Sequence, residues 1–392
     1  MVAGSSLLRA AYRPEGRLAP GTCYFAPSQA LKVEQGGSVR VVVAMSGGVD
    51  SSVTAGLLVE QGHEVIGIHM KLHDTDAPAG QSKTCCGLDD ALDARRVADH
   101  LGIPFYVVNL REAFNKAVMQ PFVDDYVNGR TPNPCVACNG VLKFRVLLAR
   151  ALQLGASHLA TGHYCQIDPE GPWLRQAVDP AKDQSYFLFP MSEKAMKHTL
   201  FPLGGMTKPE VRAHADRLNL PVAVKPESMD VCFLPDGNHG GFVQKHRPDL
   251  DTSGEIVDEV GRVLGYHEGY HKFTVGQRKG LGVALGAPAY VVRVEPETRR
   301  VVVGTNDALM HHGLVASNWT WFETPDPAHI VHARIRHRGG LIPSTVQPLD
   351  GDRFQLHFLE AARAVCPGQA VVLYEGDRVL GGGWIERATA EA

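Results

Sequence analysis

At a typical domain length of about 150 residues, a chain of 392 should form two or three domains rather than one. Its 44% hydrophobic and 21% charged residues exclude a fibrous or disordered chain, and no apolar run reaches the ~18 residues that would span a bilayer. A net charge of −3 excludes attraction of nucleic acid by the overall field, so an RNA partner would have to meet local basic surface.

Residues 1–38 lack clean periodicity, carry more Lys and Arg than Glu, and are broken by Pro14, Pro20 and Pro27. A basic, acid-poor start fits a transit peptide in part, but the prolines interrupt any amphipathic helix, so the reading is a disordered extension. From Val39 short apolar runs alternate with helical ones, as in βαβ units on a parallel sheet. Residues 40–45 read as a buried strand, 51–61 as a helix stopped by Gly62, and 65–70 as a second strand. A helix over 88–101, with Gly102 and Pro104 as stop signals, leads into a third strand over 105–110. Phe114, Val118, Phe122 and Tyr126 recur every four residues and share one face of the next helix. With a helix over 141–154 and a strand over 158–162, residues 39–225 form a doubly wound α/β domain. Thr207 caps its last helix, over 207–218, with Pro209 in the first turn. Residues 226–285, rich in Gly, Pro, His and Asp, read as a small middle domain. Residues 286–390 read as an antiparallel β-barrel with strands at 290–294, 300–303, 332–337, 354–359, 370–374 and 379–384. There is no internal repeat.

Ser46, Gly47, Gly48, Val49, Asp50, Ser51 and Ser52 lie between the first strand and the first helix, where backbone N–H groups can cradle an anion. The two glycines allow close approach, and Ser46, Ser51 and Ser52 add hydroxyl donors. A Walker lysine is missing, so this is not a loop for terminal phosphoryl transfer. Asp50 would stand beside a pyrophosphate and help hold Mg²⁺. The stretch resembles the PP-loop of the adenine-nucleotide α-hydrolase-like superfamily, whose members cleave ATP between the α- and β-phosphates and adenylate an oxygen. That superfamily spans amide ligases and RNA modifiers.

Eight cysteines, clustered as Cys85-Cys86 and Cys135-x2-Cys138, suit thiol chemistry in a reducing, cytoplasmic compartment rather than a disulfide scaffold. Pro132 and Pro134 stiffen an exposed loop, and Cys138 lies near the start of the next helix, where the dipole favours a thiolate. Half of a zinc site is the alternative, with Cys85-Cys86 or histidines completing it. Cys232, between Val231 and Phe233, could be simply a small buried residue. Residues 182–188, KDQSYFL, place basic, acidic and amide side chains before an apolar run, which could also be a solvated strand end.

Taken in order, SGGVDSS, TPNPCxxCNxxxKF, TGHY at 161–164, KDQSYFL and CF at 232–233 resemble the tRNA-specific 2-thiouridylase family, over about 39–386. Matching also are 93–98 with 101–104, 271–278, 367–369 and 380–383. The resemblance implies ATP-dependent 2-thiolation of the wobble uridine, position 34, in the anticodon loop of tRNA. The uracil C2 oxygen is a poor leaving group, so ATP converts it to an adenylate with release of pyrophosphate, and AMP departs as sulfur arrives. By the same resemblance Cys232 carries a persulfide received from a sulfur-relay protein or cysteine desulfurase, and Cys138 is the nucleophile that releases its terminal sulfur. A Cys138–Cys232 disulfide is left. Ala44, Met45 and the loop 46–52, with Met70 and Gly162, are assigned to ATP. Asn133, Pro134, Cys135, His163, Lys182, Asp183, Gln184, Arg336, His337 and Gln369 are assigned to tRNA. Where many relatives carry Asp three residues before the nucleophile, this chain has Cys135, an extra thiol or cluster ligand.

A separate basic signal lies in 332–338: as a strand, its period of two puts His332, Arg334, Arg336 and Arg338 on one face that could meet phosphates. The competing readings are an iron–sulfur cluster on Cys135, Cys138 and Cys232 carrying sulfide for the same reaction, an amide ligase acting on a small carboxylate, and an RNA-binding or sulfur-carrier module with a dead loop.

Overall fold

The protein is described here from a computed structural model, over residues 37–73, 87–171, 173–227, 231–234, 236–283 and 287–389. The extension through residue 36, the Cys85-Cys86 pair, and Ser228, Met229 and Asp230 lie outside the described residues.

The first domain is built on β1 (Arg40–Ala44), whose three central valines are fully buried. It is flanked in parallel by β2 (Glu64–Lys71) and β4 (His158–Ala160), with β3 (Phe105–Asn109) outside β2 and the short strand Thr199–Leu200 outside β4. Successive side chains of β1 point to opposite faces, which is why the strand is apolar throughout. Val41 and Val43 pack against α1 (Val49–Glu60), α2 (Leu88–Leu101) and the helix Lys208–Arg217. Val42 packs on the other face with the helices α3, over 111–127, and α4, over 134–153. The chain moves from β1 outward to β3, then returns to the opposite side of β1 at β4. This reversal opens a crevice beyond the carboxyl ends of β1 and β4, the place where open α/β sheets bind ligands.

Two local features shape that crevice. Both α3 and α4 contain π-helical turns, Asn115–Met119 and Cys138–Leu147. In an ideal α-helix the period of four in Phe114, Val118, Phe122 and Tyr126 would drift around the axis. The wider π-turn takes up the drift, and all four side chains are buried in one cluster. The second feature is the start of α4. The prolines at 132 and 134 were expected to stiffen an exposed loop, but both are buried, and Pro134 opens the helix with Asn133 as its cap. Proline is tolerated there because its missing N–H would have no partner in any case.

The strands Tyr290–Glu295 and Arg300–Gly304, expected in the C-terminal barrel, belong instead to a four-stranded middle sheet with Gly254–Val257 and Val263–His267. Val301 and Val302 pair in parallel with Ile256 and Val257, and the sheet has its own core around Ile256, Val291, Val301 and Val303. Short alternating strands show that they pair, not with which sheet. The C-terminal barrel is a closed antiparallel ring of six: Met310–Trp321, Phe354–Arg363, Ile342–Pro348, Val331–Arg334, Ala370–Glu375 and Arg378–Thr389, the last pairing back onto the first. A hairpin of the first domain, Gln166–Ile167 with Leu174–Arg175, joins its edge at Arg378.

The expected strand over 332–337 stops at Arg334, where the chain turns. The basic stripe therefore does not form. Arg334 turns inward, bonding Asp183 of the first domain at 2.8 Å and lying over the Tyr374 ring. An unpaired Asp183 at that depth would cost more than a lost phosphate contact.

Candidate functional site

Gly47 takes φ +79, and a Cβ there would collide with the Asp90 carbonyl, so the loop after β1 can turn tightly against α2 only with glycine. Gly162, after β4, has no room for a Cβ either, which would sit 2.7 Å from the Asp50 carbonyl carbon and the Ser51 nitrogen. These two close approaches bring the loops after β1 and β4 together. Within the first loop the Ser52 hydroxyl, expected to meet a phosphate, donates to the Gly48 carbonyl at 2.8 Å. It holds the loop instead. Ser46 N donates to Ser51 Oγ at 3.2 Å.

Asp50, in the first turn of α1, accepts at Oδ1 from the Tyr164 hydroxyl at 3.0 Å and from Lys208 Nζ at 2.6 Å. Burial raises the Tyr164 phenol, with Asp50 adding to the effect, so it stays protonated and donating. Lys208 also meets Glu227 at 3.0 Å, and Glu227 takes Lys182 at 2.6 Å. The hydrogen bond from Lys182, ahead of that from Lys208, holds the Glu227 carboxyl below its usual range. Lys225 reaches under the loop to the Gly47 carbonyl, Asp90 and Asp93 at 3.1, 2.8 and 2.6 Å. Burial alone would lower its pKa, but these two carboxylates carry it above the usual value.

A cavity of about 320 Å³ opens here, lined by Ala44, Met45, Ser46, Asp50, Ser51, Met70 and Gly162, and also by Pro134, Cys135, Cys138, His163, Gln184 and Cys232. The loop expected to hold ATP and the two thiols expected to move sulfur thus share one chamber. Phe114, Val118, Val231 and Phe233 complete its walls with apolar surface. Cys138 and Lys143 both reach it although they are five apart, because in a π-helical turn residues i and i+5 share a face.

Lys143 Nζ lies 3.2 Å from His163 Nε2, and His163 Nδ1 lies 2.6 Å from Thr161 Oγ1. An ammonium only donates, so Nε2 accepts and the ring proton sits on Nδ1. Burial, reinforced by Lys143, pushes the His163 pKa well below its ordinary value, so this imidazole is neutral.

A second, more polar cleft of about 580 Å³ shares Ser46, Asp50, Pro134, Cys135 and Gln184 with the first. Gly48, Val49, Asn133, Lys182, His337 and Gln369 line it, as do Lys208, Arg212, Lys225 and Arg338. Gln369 ties the barrel to the start of α4, donating to the Thr131 and Pro132 carbonyls at 3.0 and 3.1 Å. Two residues assigned to tRNA are not in either hollow. Asp183 is 3% exposed and both its oxygens accept hydrogen bonds from Gln176, Ala177, Ser185 and Arg334, so it ties the first domain to the barrel. Arg336 is exposed elsewhere and donates to the Arg363 carbonyl at 3.2 Å.

Among the described residues no three His, Cys, Asp or Glu side chains converge as metal ligands, so Cys135, Cys138 and Cys232 line one chamber without making a ligand set. Lys143, Lys208 and Lys225 were missed as site residues. Lys143 stood inside a motif already noted, whereas Lys208 and Lys225 lie far along the chain and only folding brings them to the loop.

The crevice at the strand reversal, the glycine loop and the cysteines that line the same cavity are the features of a PP-loop nucleotide-dependent enzyme. Residues 39–236 match a family model described as tRNA methyl transferase HUP domain, 240–305 one described as tRNA methyl transferase PRC-barrel domain, and 311–385 one described as aminomethyltransferase beta-barrel domain. The tRNA-specific 2-thiouridylase MnmA of Geobacter metallireducens is 53% identical over 90% of this chain and 98% of its own. That of Geotalea uraniireducens is 52% identical over 89% of this chain and 95% of its own. Among solved structures, a 4-thiouridine synthetase–RNA complex with bound ATP is similar over 54% of this chain and 51% of its own, at 18% identity and a TM-score of 0.34. The chain belongs to the tRNA-specific 2-thiouridylase family.

Proposed function

We propose that the protein 2-thiolates the wobble uridine, position 34, of tRNA in an ATP-dependent reaction. The uracil C2 oxygen attacks the α-phosphate of ATP, pyrophosphate leaves, and the resulting adenylate makes that oxygen expendable. Cys138 thiolate attacks the inner sulfur of a Cys232 persulfide, forming a Cys138–Cys232 disulfide and releasing hydrosulfide. The hydrosulfide adds to C2 and AMP departs. The observation that carries this reading is the single chamber lined by the Ser46 and Asp50 loop on one hand and by Cys138 and Cys232 on the other. Methyl transfer needs neither a pyrophosphate cradle nor a second thiol.

On this reading the Lys208 ammonium beside Asp50, the Lys225 ammonium under the loop and the N-terminus of α1 are the donors that meet the departing pyrophosphate. Asp50 offers one carboxylate at the loop, which fits Mg²⁺, an ion held by one or two carboxylates together with phosphate oxygens. Bound there, the ion would neutralise phosphate charge. The polar cleft with Lys182, Arg338 and His337 is the approach for the anticodon loop, whose unpaired base can be splayed into the chamber. Sulfur reaches Cys232 from a persulfide-donating relay protein or a cysteine desulfurase. Among the described residues no helix is long and apolar enough to cross a membrane.

The test is mass spectrometry of nucleosides from tRNA incubated with the protein, ATP, Mg²⁺ and a persulfide source. Wild type should give 2-thiouridine, and Cys138→Ser should give background. Equal yields from the two would refute the reading.

A further inference from the structure

The chamber holds one thiol more than the transfer consumes. Cys135 is exposed and lines both the chamber and the polar cleft, whereas Cys138 and Cys232 line the chamber alone. Cys135 and Cys138 stand three apart across the first turn of α4, and the Cys138 backbone N–H donates to the Cys135 carbonyl. Helical geometry at that spacing sets their Cα atoms about 5 Å apart, inside the ~4.4–6.8 Å window in which a disulfide can close. The remaining thiols among the described residues, Cys165 and Cys366, are buried, and burial pushes both thiols up, away from reactivity.

We propose that Cys135 is a resolving thiol that carries the oxidised product of each sulfur transfer out of the chamber to the cleft, where a dithiol reductant reaches it. The proposal rests on the persulfide reading above. After transfer, the Cys135 thiolate attacks Cys138 Sγ of the Cys138–Cys232 disulfide. The Cys135–Cys138 bond forms and the Cys138–Cys232 bond breaks. The electron pair leaves on Cys232, which takes up a proton and becomes a free thiol. No oxidant is needed, because the exchange moves an existing disulfide. An external dithiol then reduces the Cys135–Cys138 pair to two thiols and is itself oxidised to its disulfide. A carboxylate at 135 could not do this, so a chain with Asp there must have its reductant reach the chamber itself.

The full chain, loaded with sulfur by a cysteine desulfurase and cysteine and freed of reductant, is given ATP, Mg²⁺ and tRNA for one turnover, then alkylated in acid, digested and mapped. Wild type should show Cys135 joined to Cys138 with Cys232 alkylated, and omission of ATP should leave all three alkylated. In Cys135→Ser the Cys138–Cys232 disulfide should persist, and repeated turnover at a fixed, limiting dithiol concentration should fall severalfold. A wild-type digest holding only Cys138–Cys232 with Cys135 alkylated, or a Cys135→Ser protein with unchanged dependence on reductant, overturns the relay and leaves the persulfide reading standing. Thiolated tRNA with neither disulfide formed, and Cys138→Ser still active, overturns both.

Discussion

Lys208 opens its helix with the ammonium on Asp50, 12% exposed, and so sets the charge at the mouth of the phosphate loop. If it stabilises pyrophosphate as it departs, Lys208→Ala should lower tRNA-stimulated ATP–pyrophosphate exchange by about a hundredfold, the scale of losing one preorganised donor. Its melting temperature should change far less. An exchange rate within about threefold of wild type would remove Lys208 from that role. His163 bears on stability in a different way. The imidazole is neutral when folded and becomes protonable on unfolding, so below the ordinary histidine pKa of about 6.5 the unfolded chain binds the extra proton. The contribution is complete above that pH and is lost as pH falls below it, at up to ~1.4 kcal/mol per pH unit. Thermal melts between pH 7.5 and 5 (a range chosen to bracket about 6.5) should show a decline in wild type that His163→Gln makes shallower. A parallel decline in both proteins would place the titration elsewhere.

Helix α3 shows what a pattern can and cannot convey. Its period of four marked the buried face correctly, since side-chain burial follows spacing. The π-turn that reconciles this spacing with a helix is a backbone adjustment to neighbours, and no residue type encodes it. Phe122 sits at the centre of that face, with edge contacts to Tyr126, Phe233 and Phe242. Phe122→Ala should cost about 3–5 kcal/mol by denaturant unfolding. Because Phe233 adjoins Cys232, sulfur transfer should also fall. Unchanged stability would mean that the face is not packed as described. The course of the loop after β1 was legible for a related reason: a strand, two glycines and a helix start specify a tight turn at the head of a helix. Pro132 and Pro134 misled because a proline that begins a helix and one that stiffens a loop look alike until the cap, here Asn133, is seen. The basic spacing in 332–338 misled because alternation shows only which residues share a face if the strand continues, and this one ends at Arg334.

At the scale of the molecule, the barrel is held to the first domain by buried polar contacts: Arg334 with Asp183, Tyr374 with Ser185 at 3.1 Å, and the Tyr186 hydroxyl on the Ala370 carbonyl at 2.9 Å. No local pattern could show these, since each partner lies more than a hundred residues from the other. Arg334 and Arg338 therefore separate by experiment. Arg334→Ala strands a buried carboxylate and should cost about 3–5 kcal/mol of stability while leaving the salt dependence of tRNA binding unchanged. Arg338→Ala should leave stability intact and reduce the slope of log affinity against log salt by about one. The reverse pattern would return the basic stripe to the surface. Above all, the proposed reaction asks the chamber to join two chemistries, activation of an oxygen by ATP and delivery of sulfur to the carbon that held it. Transcripts carrying ¹⁸O at C2 of the wobble uridine test that union directly. One ¹⁸O should appear in AMP for each 2-thiouridine formed; label released into water or pyrophosphate, with AMP unlabelled, would contradict it.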